Sequence, residues 1–476
     1  MLPAIMICAA VAVFLAVILI RGALLKPEKT AAAAQPVADF DDPAAIARFQ
    51  KVLQKKTVWP REGKIEYAEF DGFVPLLKQL YPTVFANTEL TMVNTYGLIV
   101  KWKGRDPSKA PVILMAHHDV VSAEAADWTY PPFAAEIHDG NIYARGAFDT
   151  KCILTAVFEA MQSLMAENYT PARDIYFISS NNEETGGDTS PAQMEWFRRQ
   201  GVKPWFVLDE GGAMINELPL GIRYEFAMIG VSEKGVVDVK LTAKGAAGHS
   251  STPSGENSTV RLLQALDNIR DHPFKAQISP VLAEMFRKLA AHASFLYRVI
   301  FANIGIFSPI VKKIMSAGGE TNAMIRTTTA LTQLSGSDTI NTIPTDAGAG
   351  YSVRVAPWDN TADVENRIKE LAGAHVEVAV PYKFEPSPYS DFKSEAYQLI
   401  ANTAKTVYPG ADDAPYVMSG GTDSKHFTEI CSNVFRFAGF RFTSAERRAM
   451  HGVDEHLSAD AYLKGVTFYI QLMKSL

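Results

Sequence analysis

The sequence predicts an α/β protein, a mixed, mostly parallel sheet flanked by helices, with a separate α+β unit inserted into it. Three observations carry this reading. Short β-branched runs alternate with amphipathic helical stretches up to about residue 230, and that βαβα order favours parallel pairing. Some of those runs, such as APVILMAHHD at residues 110–119, are apolar throughout, as strands covered on both faces are. From about residue 231 to 350 the pattern changes to half-exposed strands segregated from helices.

The chain opens with twenty residues that carry no charge, followed by Arg21, a length that matches a bilayer core. The segment 1–21 is read as a single membrane anchor, because it lacks the basic leader and short apolar core of a cleaved signal. The small-residue run at 31–34 keeps cleavage, and hence secretion, as the alternative. Arg21, Lys26 and Lys29 favour a cytoplasmic body by the positive-inside rule, but three charges leave the side of the membrane open. Residues 22–38 are Ala/Pro/Lys-rich and read as a linker.

DPAAIARFQKVLQKK and FVPLLKQLYPTVF follow as amphipathic helices, then GLIVKWKG and VILMA as strands. CILTAVFEAMQSLMAEN is a helix, DIYFISSNNEE a buried strand with its loop, PAQMEWFRRQG a helix closed by Gly201, and PWFVLDEGG a further strand. In the inserted stretch GVVDVKLTAKG alternates as an antiparallel strand does, TVRLLQALDNIRDH and residues 281–315 are helical, and TTTALTQLSG and AGAGYSVRVAPW return to strands. EAYQLIANTAKTVYPG and SADAYLKGVTFYIQLMKSL are helices that complete the first domain. The apolar stretch of Phe295, Leu296, Val299, Ile300, Phe301, Ile304, Phe307 and Ile310 is read as packing or a dimer contact in preference to a surface for a lipophilic ligand.

At 47% apolar and 21% charged residues, the chain has the balance of a globular protein. Its 46 Lys+Arg against 52 Asp+Glu give a net charge of −6 without a basic block, so no nucleic-acid partner is expected. Cys8, Cys152 and Cys431 cannot form a disulfide framework.

Ionisable residues gather at the ends of the buried strands, where open α/β sheets place their sites. His117 and Asp119 follow VILMA on one face of an extended chain, so the carboxylate can orient the imidazole as a metal ligand. Asp149 precedes a helix, where a cap is the simplest role. Glu183 and Glu184 stand between a strand end and Gly186-Gly187, one able to bind metal while the other serves as base. Asp209-Glu210 end a further strand, and His451 stands near the C-terminus. Singly each is weak; together, imidazole with carboxylate suits zinc, cobalt or manganese.

The motifs HHDVV, RGAFDTK, EETGG, LDEGG, GHSSTP and the late HG resemble the M20 metallopeptidases, in particular the carboxypeptidase S and N-acyl-amino-acid hydrolase branch. The resemblance covers roughly residues 40–476 and keeps the family's motif order. It implies a di-zinc exopeptidase fold, with a catalytic domain split over 39–230 and 351–476 around a lid or dimerisation domain at 231–350. It implies two Zn²⁺ per subunit, replaceable by Co²⁺ or Mn²⁺: His117 and Glu210 on one, Glu184 and His451 on the other, and Asp149 bridging. Asp119 would orient His117, and Glu183 would act as general base on a metal-bound water. Which of Asp209 and Glu210 binds metal stays open, with family spacing favouring Glu210. His249 would stabilise the oxyanion, Asn341 would line the substrate pocket, and Arg354 would bind the substrate's α-carboxylate. Gly420 and Gly421 in SGGTDS would let backbone approach the substrate.

The implied activity is hydrolysis of the amide bond before a free C-terminal amino acid, in short peptides or N-acyl amino acids, by a homodimer tethered to a membrane. The alternatives are a metal-binding or interaction scaffold without catalysis, and a dimetal phosphoesterase. Glu183 argues against the first, and Arg354 with the missing basic groove against the second.

Overall fold

The computed structural model describes residues 2–27, 40, 42–218, 222–253 and 255–476. Most of the linker read at 22–38, and the run at 31–34, lie outside them. In chain order the strands begin with β1 (Glu89–Val93), β2 (Gly97–Trp102), β3 (Val112–His117), β4 (Glu136–His138), β5 (Asn141–Tyr143), β6 (Ile175–Ser180), β7 (Phe206–Asp209), β8 (Met214–Ile215) and β9 (Phe226–Glu233). They continue with β10 (Gly235–Lys244), β11 (Gly248–His249), β12 (Thr328–Ser335), β13 (Thr342–Ile343), β14 (Asp346–Val355), β15 (Val376–Phe384), β16 (Asp412–Met418), β17 (Val434–Arg436) and β18 (His456–Ser458). The helices are α1 (Leu2–Leu24), α2 (Asp42–Leu53), α3 (Tyr67–Asp71), α4 (Phe73–Leu80), α5 (Pro82–Ala86), α6 (Lys151–Ala166), α7 (Thr189–Arg199) and α8 (Ser258–Asp271). After them come α9 (Pro280–Ala291), α10 (Phe295–Ala302), α11 (Ile304–Met315), α12 (Gly319–Ile325), α13 (Thr361–Ala372), α14 (Glu395–Val407), α15 (Ser444–Ala449) and α16 (Ala459–Lys474).

The main sheet has nine strands in the order β1-β2-β6-β3-β7-β17-β9-β16, with β8 paired to β9. β6, β3, β7 and β17 run parallel, as do β9 and β16; β1, β2 and the β17–β9 contact are antiparallel. The mixed, mostly parallel sheet that the sequence predicts is present. Its central strands are apolar throughout because each feeds two cores. Val112, Leu114 and Phe177 face one core with α2, α4, α6, α14 and α16. Ile113, Met115 and Ile178, the residues between, face the other with Met194 and Phe197 of α7 and with Phe427.

A second sheet, β12-β14-β10-β15, is antiparallel and is covered by Leu262, Leu266 and Ile269 of α8 and by Val364 and Ile368 of α13. It differs from the sequence reading at its C-terminal boundary and in the place of α9. β10 pairs with β14 from Gly235↔Val355 to Lys244↔Asp346, and β15 pairs with β10 as far as Phe384. The break read after Gly350 thus falls inside a strand, and residues 351–384 pair with the inserted unit. Conversely α9, which the sequence assigned to the inserted unit, lays Leu282, Met285, Phe286 and Leu289 against Phe226, Met228 and Ala414 of β9 and β16. Those four residues recur at i, i+3, i+4 and i+7, one helical face that the edge of the main sheet buries.

α1 contains a 22-residue stretch, Pro3–Leu24, of mean hydropathy 2.9, long and apolar enough for a membrane span or a signal segment. Its end lies on α10. The Asn303 side-chain amide donates to the Ile18 carbonyl at 3.1 Å, and a Cβ on Gly22 would fall 2.5 Å from Val299 Cγ2.

Candidate active site

Parallel pairing of β6, β3 and β7 brings three strand ends side by side, which is why residues far apart in sequence meet here. His117 closes β3 and is buried. Its Nε2 lies 3.0 Å from Asp149 Oδ1 and 3.5 Å from Glu210 Oε1, while its Nδ1 lies 3.0 Å from the Asp119 carbonyl and 3.4 Å from Asp119 Oδ1. Asp119, wholly buried, also accepts the backbone N–H of Glu183 at 3.2 Å and of Glu184 at 3.1 Å. Asp119 therefore holds the imidazole chiefly through its backbone carbonyl, with its carboxylate nearby, and through that carboxylate holds the turn that presents the acidic pair. That turn follows β6 and reverses at Gly186, whose φ of +66° suits glycine.

Asp149 joins the two halves of the cluster. Its Oδ1 faces His117, and its Oδ2 lies 2.9 Å from His451 Nε2, which is 3.1 Å from Glu184 Oε2. His451 holds a left-handed φ of +59°, a backbone cost of a kind common at functional sites. The sequence left Asp209 and Glu210 undecided, and in the structure their carboxylates face different groups. Asp209 turns inward to accept the N–H groups of Glu210 and Ser424, both at 2.9 Å, whereas Glu210 faces His117.

Burial pushes the Asp149 carboxyl up, but hydrogen bonds from His117 and His451 outweigh it and hold the group below the usual carboxylate range. Burial opposes charge on His117 as well, and Glu210, Asp119 and Asp149 overcome it and raise the ring. Hydrogen bonds to Asp149 and Glu184 raise His451 to about 10. Burial, with neighbouring carboxylates, pushes Glu183 and Glu210 well above their ordinary values. Four carboxylates thus crowd two imidazoles, and among the described residues no lysine or arginine pairs with any of the four. Candidate ligand atoms of His117, Asp149 and Glu184, and of His117, Glu183 and Glu210, lie within 4.8 Å of one another. This donor set fits divalent cations that take mixed imidazole and carboxylate ligands.

Asp149, Glu183, Glu184, Glu210 and His451 line a cavity of about 250 Å³, with Gly420 and Gly421 on its wall. A larger cavity of about 580 Å³ adjoins it through the shared walls Phe148, Gly211, Phe442 and Met450. Its lining is mainly apolar and includes Met228, Met285, Leu289, Met324 and Tyr416.

His249, Asn341 and Arg354 line neither cavity. His249 lies on an exposed ribbon, pairing with Thr342 where β11 meets β13 while its ring contacts Ser251 at 2.7 Å, and the Asn341 carbonyl accepts the Ser250 N–H at 3.1 Å. Arg354 is exposed on β14. His118 is buried, stacks on Phe73 and lies 2.8 Å from Ser179 Oγ.

Sequence reasoning missed the supports. Glu455 accepts backbone N–H groups of Gly146 and Phe148, both at 2.9 Å, and of Asp149 at 3.2 Å, and pairs with buried Arg145. Arg145 also donates to the Gly452 carbonyl at 2.9 Å, so one ion pair joins the loops that carry Asp149 and His451. Glu233 and Arg436, a second buried pair at 2.5 Å, hold Thr422 of the SGGTDS loop through Glu233 at 2.6 Å. An acid next to the HGVD run (Glu455) and an arginine four before Asp149 were the signals available.

Residues 113–475 match the description Peptidase family M20/M25/M40. The chain is 32% identical over 439 residues to probable carboxypeptidase S-like 2 of Dictyostelium discoideum, covering 89% of this chain and 84% of that one. It is 32% identical over 415 residues to N-fatty-acyl-amino acid synthase/hydrolase PM20D1 of Homo sapiens, covering 86% and 82%. Among solved structures, human carnosine dipeptidase 1 superposes with a TM-score of 0.63 at 16% identity, over 91% of this chain and 96% of that one. An M20 family metallo-carboxypeptidase, Sso-CP2 from Sulfolobus solfataricus, gives 0.64 at 17% identity, over 90% and 98%. At these identities the solved structures speak for the fold.

Proposed function

The chain belongs to peptidase family M20/M25/M40 and is a hydrolytic enzyme; from that premise we propose that it cleaves N-acyl amino acids with long apolar acyl groups. The observation that carries this is the apolar cavity of about 580 Å³ that shares walls with the acidic cluster. An acyl chain laid there would bring its amide carbonyl to the cluster, which a dipeptide does not need. The relative named as an N-fatty-acyl-amino acid synthase/hydrolase supports the same choice.

Two divalent cations, zinc by this reading, would be held by His117 with Glu210 and by Glu184 with His451, with Asp149 between them. When bound they supply the Lewis acidity that activates water and polarises the amide. Glu183, on the cavity wall, takes the proton from the attacking water and returns it to the leaving amine nitrogen. Asp119 keeps Glu183 and His117 in register through the contacts described above.

The test is a panel of N-acyl amino acids of increasing chain length, dipeptides and phosphoesters, assayed with added Zn²⁺. Long-chain substrates should be cleaved fastest, and Met285→Trp, which fills the apolar cavity, should slow those and spare short ones. Preference for dipeptides would replace the acyl reading, and preference for phosphoesters would overturn amide chemistry. Glu183→Gln should abolish hydrolysis while metal content stays; unchanged hydrolysis would remove the general-base role and reopen the scaffold alternative.

We also read α1 as the anchor that ties the protein to a membrane, and the protein as a homodimer. β12 is an edge strand with exposed Leu331 and Leu334, suited to pairing with a second copy, which would also give the His249 ribbon a partner site. Sedimentation of the detergent-solubilised chain checks this, and a monomer at micromolar concentration counts against it.

A further inference from the structure

We propose that the α10–α11 hairpin is a second membrane contact, seated in the same bilayer that receives α1. The two helices meet at a bend of 110° and together are as apolar as a span. Residues 295–315 contain no acidic side chain; their charges are Arg298, Lys312 and Lys313. Phe301, Val311 and Met315 turn inward to the core beneath, and Val299 is buried against α1 at Gly22. The opposite face is bare: Ile306, Ile310 and Ile314 recur every four residues along α11 and are 47%, 61% and 68% exposed. Phe295 and Leu296 of α10 are also exposed, at 45% and 66%. An apolar stripe ending in lysines is the pattern of a helix lying in a bilayer interface.

The packing of the hairpin on α1 argues for what covers the face. α10 packs on α1 at Ile18 and Gly22, and buried Asn303 ties α1 to the hairpin by its bonds to the Ile18 and Val299 carbonyls. Ile18 stands six residues before the end of α1, which is roughly 9 Å along a helix axis. A bilayer spanned by α1 therefore meets the hairpin at that depth, within the roughly 5–10 Å that interfacial helices occupy. Soluble partners and second copies lack this continuity with the apolar surface of α1. The neighbouring helices α9 and α12 supply Met285, Leu289 and Met324 to the large apolar cavity, so the docked face lies beside the room proposed for the acyl chain.

The test uses the full chain in phosphatidylcholine vesicles, with Cys8→Ala removing the exposed cysteine and Cys152 and Cys431 left buried. A nitroxide is placed at Ile310→Cys, and its collision rates with oxygen and with a water-soluble nickel chelate are compared. Leu263→Cys on α8, 59% exposed, is the water-facing reference. The expected result is oxygen collisions exceeding nickel collisions at position 310, and the reverse at 263. Nickel access at 310 equal to that at 263 overturns the proposal, and so do low rates with both probes, which mean that a protein surface covers the face. Because this readout needs no substrate, its failure is distinct from failure of the acyl-hydrolase reading.

Discussion

Replacing Glu455 by glutamine tests whether one buried ion pair holds the two loops of the site. Glu455 is inaccessible to solvent and Arg145 is 2% exposed. Oε1 of Glu455 collects three backbone N–H groups and Oε2 faces the guanidinium. Glutamine keeps one oxygen, but its NH₂ must then face either the guanidinium or the N–H groups, donor against donor. Removing one partner of a buried pair costs about 3–5 kcal/mol. The first sheet and its helices comprise roughly 290 residues, and at about 2 cal/mol/K each their unfolding entropy is ~0.6 kcal/mol/K. The midpoint should therefore fall by about 5–8 °C in scanning calorimetry of the detergent-solubilised chain. Arg145→Met combined with Glu455→Gln leaves no unmatched charge and should lose less than the two single changes together. A Glu455→Gln midpoint within about 1 °C of the parent, or strict additivity in the double variant, would refute the reasoning.

Asp119→Asn weakens the contacts to His117 and to both N–H groups of the acidic pair; metal affinity measured by equilibrium dialysis should drop about 10–100-fold, with thermal stability falling far less than at Glu455. Gly187→Ala places a Cβ 2.1 Å from Asn182 Cγ, so Asn182 must leave Asp188 and Thr189, at a cost of about 1–3 kcal/mol that Asn182→Ala should partly restore. Burial, helped by Lys425 and opposed by Glu233, depresses His426 from 6.5 to about 4. The fold thus favours the neutral ring, so this contribution is complete above pH 6.5 and is lost as pH falls from there toward 4. His426→Gln should flatten denaturant stability over that window by up to ~3 kcal/mol, and an unchanged slope would contradict it.

All the candidate ligands but His451, which lies in the loop after α15, were legible because they sit at a strand end or helix start that local patterning already marks. His117 follows five apolar residues, Glu183 and Glu184 precede a glycine turn, and Glu210 closes FVLD. Their convergence needed only the parallel order of three strands. What stayed hidden depends on distant pairs. Arg145 and Glu455 are 310 positions apart, and neither has a local pattern that names the other. The inserted unit was misdrawn for a related reason. Composition shifts at a boundary only where the partner surface changes, and the alternation of β14 runs through Gly350 without a break. α9 has the amphipathic face of any surface helix, and the sequence does not say which sheet receives it.

Asp119 has a consequence for how such a site can change over generations. A single residue contacts one candidate ligand's imidazole, by its carbonyl and more distantly its carboxylate, and by that carboxylate holds the turn that carries both glutamates. Exchanges at His117, at the glutamate turn and at Asp119 are therefore not independent trials. A replacement tolerable beside the original aspartate becomes harmful beside another residue, and the reverse also holds. Double-mutant cycles among these positions should show strong epistasis, and drift toward a different chemistry would have to pass through concerted rather than stepwise substitution.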